Sequence, residues 1–168
     1  MSDQAIILLA EDREDDILLV RKAFQKGSVA NPLYVVRDGE EAVAYLSGQR
    51  YYQNRSEYPL PDLFLLDLKM PRMDGFEVLR WIRQQPTLRT LRVIVLTSSD
   101  DIADVNKAYR LGANSFLVKP LDFVNYVGTA ELIKEYWLRA DRAPQILRPP
   151  LSSLSPLAKS PPTTDRGS

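Results

Sequence analysis

The chain has 168 residues, 45% of them hydrophobic, and no cysteine; that suits one domain with a sizeable core and excludes disulfides and thiolate metal sites. It also has no histidine, which excludes an imidazole base, an imidazole metal ligand and a phosphohistidine of its own. The formal charge is zero but uneven, +3 from Arg139 onward and therefore −3 over residues 1–138, and an acidic body argues against a nucleic-acid surface.

In chain order, the start Met1-Ser2-Asp3-Gln4 lacks the basic region and apolar core of a signal peptide, and no apolar run reaches the length of a membrane span. The expected location is the cytoplasm. Short apolar runs then alternate with segments of helical period, five times over. Ala5-Ile6-Ile7-Leu8-Leu9-Ala10 is apolar on both faces, as a central parallel strand requires. Residues 14–26 place Ile17, Val20, Ala23 and Phe24 on one helical stripe. Leu33-Tyr34-Val35-Val36 reads as a second strand, ended by Asp38-Gly39 and followed by a short helix over residues 40–46.

Residues 47–61 form a long connection with Tyr51, Tyr52, Tyr58, Pro59 and Pro61. Leu63-Phe64-Leu65-Leu66 is the third strand, and residues 76–83 a helix with Phe76, Leu79, Ile82 and Arg83 on its buried face. Val93-Ile94-Val95-Leu96 is the fourth strand, followed by a helix over residues 101–111 that Gly112 closes in a left-handed conformation. Ser115-Phe116-Leu117-Val118 is the fifth strand, and residues 122–138 form the last helix. Five β-α units with buried strands predict an α/β fold, a parallel sheet covered by helices on both faces.

The last helix carries more apolar residues than one buried face needs. Phe123, Tyr126, Val127, Ala130, Ile133 and Trp137 share a stripe, and Leu132, Tyr136 and Leu138 fall partly outside it. Such a surplus suggests an association surface, with Leu132, Tyr136 and Trp137 as its candidate residues. From Arg139 the chain holds six of its twelve prolines and many serines, a linker-like or disordered composition. The expected division is therefore a domain over residues 1–138 and a Pro/Ser-rich tail over residues 139–168 with no output domain. Leu151, Leu154 and Leu157 would align along a polyproline II helix.

In open parallel sheets, functional groups gather where strands end. The first strand ends in Glu11-Asp12, the third in Asp67, the fourth in Thr97 and the fifth in Lys119-Pro120. Three clustered carboxylates repel one another unless a cation joins them, and an oxygen-only donor set favours Mg²⁺. A carboxylate can attack phosphorus to form an aspartyl phosphate, and such transfer depends on positioning and on cations around the phosphoryl oxygens. Mg²⁺, Lys119 and the Thr97 hydroxyl would each serve one oxygen. Each residue alone is an ordinary turn or cap residue; their appearance at successive strand ends is what points to this chemistry.

Glu11-Asp12, the run from Leu66-Asp67 through Lys69-Met70-Pro71 to Asp74-Gly75, Leu96-Thr97-Ser98 and Phe116-Leu117-Val118-Lys119-Pro120 resemble bacterial two-component response-regulator receivers over residues 5–138. The resemblance implies the flavodoxin-like (βα)5 fold with strand order 2-1-3-4-5, an order for which a receiver is a standard example. It implies Asp67 as phosphoacceptor, Asp12 as a direct Mg²⁺ ligand with Asp67, Glu11 on a metal-bound water, and the backbone carbonyl of Lys69 as a further ligand. It assigns Lys119 to the phosphoryl group, with a cis bond before Pro120, and makes Thr97 and Phe116 the switch pair. Lys69 and Ser99 stand where receivers tune hydrolysis of the phosphoaspartate. The chain would catalyse only phosphotransfer to, and slow hydrolysis from, its own Asp67, so it is not expected to be a turnover enzyme.

A narrower likeness joins the Val36-Arg37-Asp38-Gly39-Glu40-Glu41-Ala42 run, the Tyr/Pro-bearing connection and the ending Asp122-Phe123 to Tyr136-Trp137 to small regulators paired with cyanobacterial phytochromes. It implies a sensor histidine kinase as phosphoryl donor, the kinase region of a phytochrome, and a homodimer through the last helix. The downstream partner would be another protein. A haloacid-dehalogenase-type phosphatase would need an acid where Lys69 stands, and a flavin carrier a phosphate-cradling first loop in place of Glu11 to Asp16. A receiver-like adaptor that does not cycle phosphate, or a dimeric binding module, stays open as the rival reading.

Overall fold

A computed structural model describes residues 4–138 of the chain. Five strands, β1 (Ile7–Ala10), β2 (Leu33–Val36), β3 (Leu63–Leu66), β4 (Arg92–Thr97) and β5 (Ser115–Val118), pair in parallel in the order 2-1-3-4-5. Ile7 pairs with Leu33 on one side and Leu63 on the other, and the same spacing continues to Ala10. Between the strands run α1 (Glu14–Lys26), α2 (Gly39–Ser47), α3 (Gly75–Gln84) and α4 (Ile102–Arg110), with α5 (Phe123–Leu132) after the last strand.

Strand side chains alternate between faces, so continuous apolar runs supply two cores. Leu8, Ala10, Phe64, Leu66, Val93, Val95 and Phe116 face α2, α3 and α4. Ile7, Leu9, Leu63, Leu65, Ile94, Leu96 and Leu117 face α1 and α5. The stripe read for α1 is the buried one, Ile17, Val20, Ala23 and Phe24. On α3 the buried residues are Val78, Leu79 and Ile82, with Phe76 only half-buried. Gly112 follows α4 with φ of 103°, the left-handed stop expected from the sequence.

Asp74 opens α3 with a capping box: its side chain accepts from the Glu77 N–H while Glu77 returns the bond to the Asp74 N–H. The next residue must be glycine for a spatial reason. A Cβ on Gly75 would lie 2.2 Å from the Asp67 carbonyl oxygen, so the helix start rests directly against the loop that follows β3.

Residues 47–61 are held rather than loose. Tyr45, Tyr52 and Tyr58 pack ring against ring, and the Arg55 guanidinium donates to the carbonyls of Tyr45, Leu46 and Tyr58, closing the C-terminus of α2. The last helix departs from expectation. Its α-helical part stops at Leu132 and Ile133–Leu138 continue as a π-helix. The wider turn lets Tyr136, Trp137 and Leu138 join the α1–α5 core, so Tyr136 and Trp137 are half-buried against the chain itself, as Leu132 is half-buried. The exposed apolar side chains lie instead at the start of α5, at Leu121, Phe123 and Val124. Leu151, Leu154 and Leu157 lie outside the described residues.

Candidate functional site

Parallel strands all run the same way, so their C-terminal ends share one edge. Backbone bonds lock that edge: Glu11 N–H to Val36 O at 3.0 Å, Asp67 N–H to Ala10 O at 3.1 Å, and Lys119 N–H to Thr97 O at 2.7 Å. Glu11, Asp67, Thr97 and Lys119 are thereby carried to one place, and all four side chains are nearly excluded from solvent. Asp12 is exposed at the rim. Carboxylate oxygens of Glu11, Asp12 and Asp67 lie within 4.8 Å of one another.

The Lys119 ammonium sits among these acids. It donates to Glu11 Oε2 in a short bond, to Asp67 Oδ2 at 3.0 Å and to Asp16 Oδ2 at 3.0 Å. Its three protons are therefore all committed. Asp16 was not singled out from the sequence. It stands in the first turn of α1, an acidic turn favoured by the helix dipole, and four residues after Asp12, a spacing that could have raised it as a candidate.

Burial pushes the Glu11 carboxyl up to about 7; Lys119 pulls it down, and the Asp67 charge adds to the rise. Burial alone would lower the Lys119 pKa, but the bonds to Glu11, Asp67 and Asp16 raise it above the usual lysine value. Lys119 is thus a fixed cation. Four carboxylates (Glu11, Asp12, Asp16, Asp67) surround this one ammonium, an excess of negative charge that calls for another cation. The donors are all oxygen, which fits a hard divalent ion.

The remaining expected residues fall around this centre. Lys69 is exposed beside it, its backbone N–H donating to Asp67 Oδ1 at 3.4 Å. The Thr97 hydroxyl is fully buried and accepts from the Ser99 N–H at 3.5 Å; the Ser99 hydroxyl donates to Asp104 Oδ2 on α4 at 2.6 Å. Phe116 is fully buried, in the same core cluster as Val105 and Ala108 of α4. Among the described residues no peptide bond is cis, so the expected cis bond before Pro120 is corrected to trans; trans is the default by about 0.5–1 kcal/mol for a bond preceding proline. The loop after β3 has a tether that sequence reading missed: the Arg72 guanidinium, on a residue with φ of 68°, donates to the buried Asp38 carboxylate at 2.6 Å.

Residues 7–130 match the family described as Response regulator receiver domain. The chain belongs to that family. It is 40% identical over 142 residues to the probable methanogenesis regulatory protein FilR2 of Methanothrix harundinacea, covering 84% of this chain and 89% of the relative. To the response regulator Rcp1 of Synechocystis it is 36% identical over 148 residues, 86% of this chain and 99% of Rcp1. Among solved structures, the phosphorylated cyanobacterial phytochrome response regulator RcpA superposes with a TM-score of 0.74 at 37% identity, over 80% of this chain and 94% of RcpA. A structure of Rcp1 in its Mn²⁺-bound form gives 0.72 at 36% identity with the same coverage. The chain is a response-regulator receiver, and its strand-end acids form an acidic pocket of the kind in which receivers bind a divalent metal.

Proposed function

We propose that this receiver takes a phosphoryl group onto Asp67 from a phosphohistidine of a partner sensor kinase, in a Mg²⁺-dependent reaction, and signals through altered contacts with another protein. The observation that carries this reading is the Lys119 ammonium 3.0 Å from Asp67 Oδ2, with the Glu11 and Asp12 carboxylates beside it. Glu11, Asp12, Asp67 and the backbone carbonyl of Lys69 would hold the ion. When bound, Mg²⁺ supplies positive charge against the carboxylates and the phosphoryl group.

The chain's own residues do the rest. An Asp67 carboxylate oxygen attacks phosphorus, the P–N bond to the donor imidazole breaks, and its electron pair returns to the imidazole, leaving an acyl phosphate on Asp67. Lys119, kept charged by its acidic partners, hydrogen-bonds a phosphoryl oxygen in place of Asp67. The Thr97 hydroxyl donates to another, and its shift is passed through Ser99 and Asp104 to the start of α4. Phe116, buried in the core beside α4, would turn into the space that Thr97 leaves.

Kinship with Rcp1 and RcpA, the latter a phytochrome response regulator, supports a phytochrome histidine kinase as donor and a cytoplasmic setting. Among the described residues no helix is long and apolar enough to cross a membrane. The functional unit is taken as residues 1–138 with residues 139–168 as its tail. The homodimer through the last helix would use Leu132, Tyr136 and Trp137, all half-buried, with the exposed Phe123 and Val124 beside them.

Incubation with acetyl phosphate and Mg²⁺, read by intact mass, tests the reading. The wild type is expected to gain one phosphoryl group only when Mg²⁺ is present during the incubation, and Asp67→Asn to gain none. No gain in the wild type would leave the adaptor reading in its place.

A further inference from the structure

Three carboxylates share the Lys119 ammonium, and two of them have another task. Glu11 and Asp67 belong to the cluster able to hold a cation, and Asp67 bears the attacking oxygen in the reading above. Asp16 is not in that cluster, and its Oδ2 lies 3.0 Å from Lys119 Nζ and 3.7 Å from Arg13 Nε. It is held by the first turn of α1, a helix whose buried face packs against α5, while Lys119 is delivered by the loop between β5 and α5.

We infer that Asp16 is a positioning residue for phosphoryl transfer: it anchors the Lys119 ammonium while Asp67 gives up its own hydrogen bond to Lys119 and takes on the phosphoryl group. The inference rests on Asp67 being the acceptor. The physical need is plain. A lysine head rides on a flexible four-carbon stem with many rotamers, and the partner it loses during the reaction is the one nearest the chemistry. Water is a poor substitute for a lost carboxylate here. The Lys119 side chain is only 8% exposed. Tyr126, which feels the charges of Lys119 and Asp16, is 4% exposed, with a hydroxyl that has no hydrogen-bond partner among the described residues. An anchored ammonium matters most where charge develops on the phosphoryl oxygens, so removing the anchor lowers the maximal rate more than it weakens binding of the donor.

The test compares full-length wild type, Asp16→Asn and Asp16→Glu. Phosphorylation is followed by intact mass at varied acetyl phosphate, Mg²⁺ affinity by calorimetry, and the Lys119 ammonium by ¹H–¹⁵N NMR. Asp16→Asn is expected to lose about tenfold in maximal rate, with half-saturating acetyl phosphate and Mg²⁺ affinity each changed by less than about twofold. Asp16→Glu is expected to restore most of the rate, and the slowly exchanging ammonium signal of the wild type is expected to vanish in Asp16→Asn. A wild-type maximal rate in Asp16→Asn overturns the inference, as does a rate loss that Glu does not restore and that Mg²⁺ affinity follows. If the wild type itself takes up no phosphoryl group, the acceptor reading fails separately. The ammonium signal then decides the anchoring: lost in Asp16→Asn it supports the anchor, and unchanged it removes that too.

Discussion

Glu11 is the acid at this site that burial penalises most visibly. Its carboxyl rises from the ordinary 4.5 to about 7. Across that window the folded protein binds more protons than the unfolded chain, so Glu11's contribution to stability falls as pH rises through it. Lys119 slopes the same way at higher pH: its raised value gives stability that is present below the unfolded lysine value and is lost as pH climbs through the folded one. In metal-free protein, Glu11→Gln is therefore expected to gain in melting temperature relative to wild type between about pH 5 and about pH 8. Thermal melts in chelator measure this, and a difference that does not change with pH would count against a burial-strained Glu11. At this scale the sequence was informative wherever a residue sits at a strand end. Glu11, Asp67, Thr97 and Lys119 could be placed together because strand direction fixes where those ends point. Asp16 and the Arg72–Asp38 pair could not, because each joins a helix or loop residue to a partner whose side-chain reach only packing decides.

Elements were legible where one face is apolar and the period is regular, as in β1 or the Ile17-Val20-Ala23-Phe24 stripe of α1. Arg83 shows what such a pattern leaves unsaid. The sequence placed it on the inner face of α3, and there its guanidinium donates to the carbonyls of Gly112, Arg89 and Leu91 and to Asn114 Oδ1, tying α3 to the approaches of β4 and β5. Burial lowers its pKa, yet these acceptors surround the charged fork. Arg83→Ala would take this donor from the three carbonyls, while Asn114 Oδ1 keeps the Val93 N–H, at an expected cost of about 3 kcal/mol in urea unfolding. Arg83→Lys is expected to recover little, because one ammonium cannot span acceptors set for a planar fork. A cost within about 0.5 kcal/mol, the range of ordinary surface substitutions, would contradict this account of α3. The last helix shows another limit: its apolar stripe through Ile133 and Trp137 is the inward one, but the π-turn at Ile133–Leu138, which also brings Tyr136 and Leu138 against the core, has no signature in a pattern of α-helical period.

At the scale of the whole molecule, one topological fact organises the rest. A 2-1-3-4-5 parallel sheet puts β1, β3, β4 and β5 side by side, so residues separated by up to 108 positions, Glu11 and Lys119, share a hydrogen bond. The two cores hold that edge from both faces, and the acidic excess it creates is tolerable because Lys119 neutralises part of it and a cation can neutralise more. The long connection at residues 47–61 was visible as a departure from the β-α rhythm, but its closure by Arg55 and three tyrosines is a tertiary matter. The account stands on a phosphoryl group residing on the Asp67 carboxylate itself. Borohydride reduction of the phosphorylated chain converts an acyl phosphate to an alcohol, and peptide mapping then locates it. Homoserine at position 67 is the expected result; homoserine at position 12 or 16, or unreduced aspartate throughout a chain that has gained the phosphoryl mass, would contradict the account.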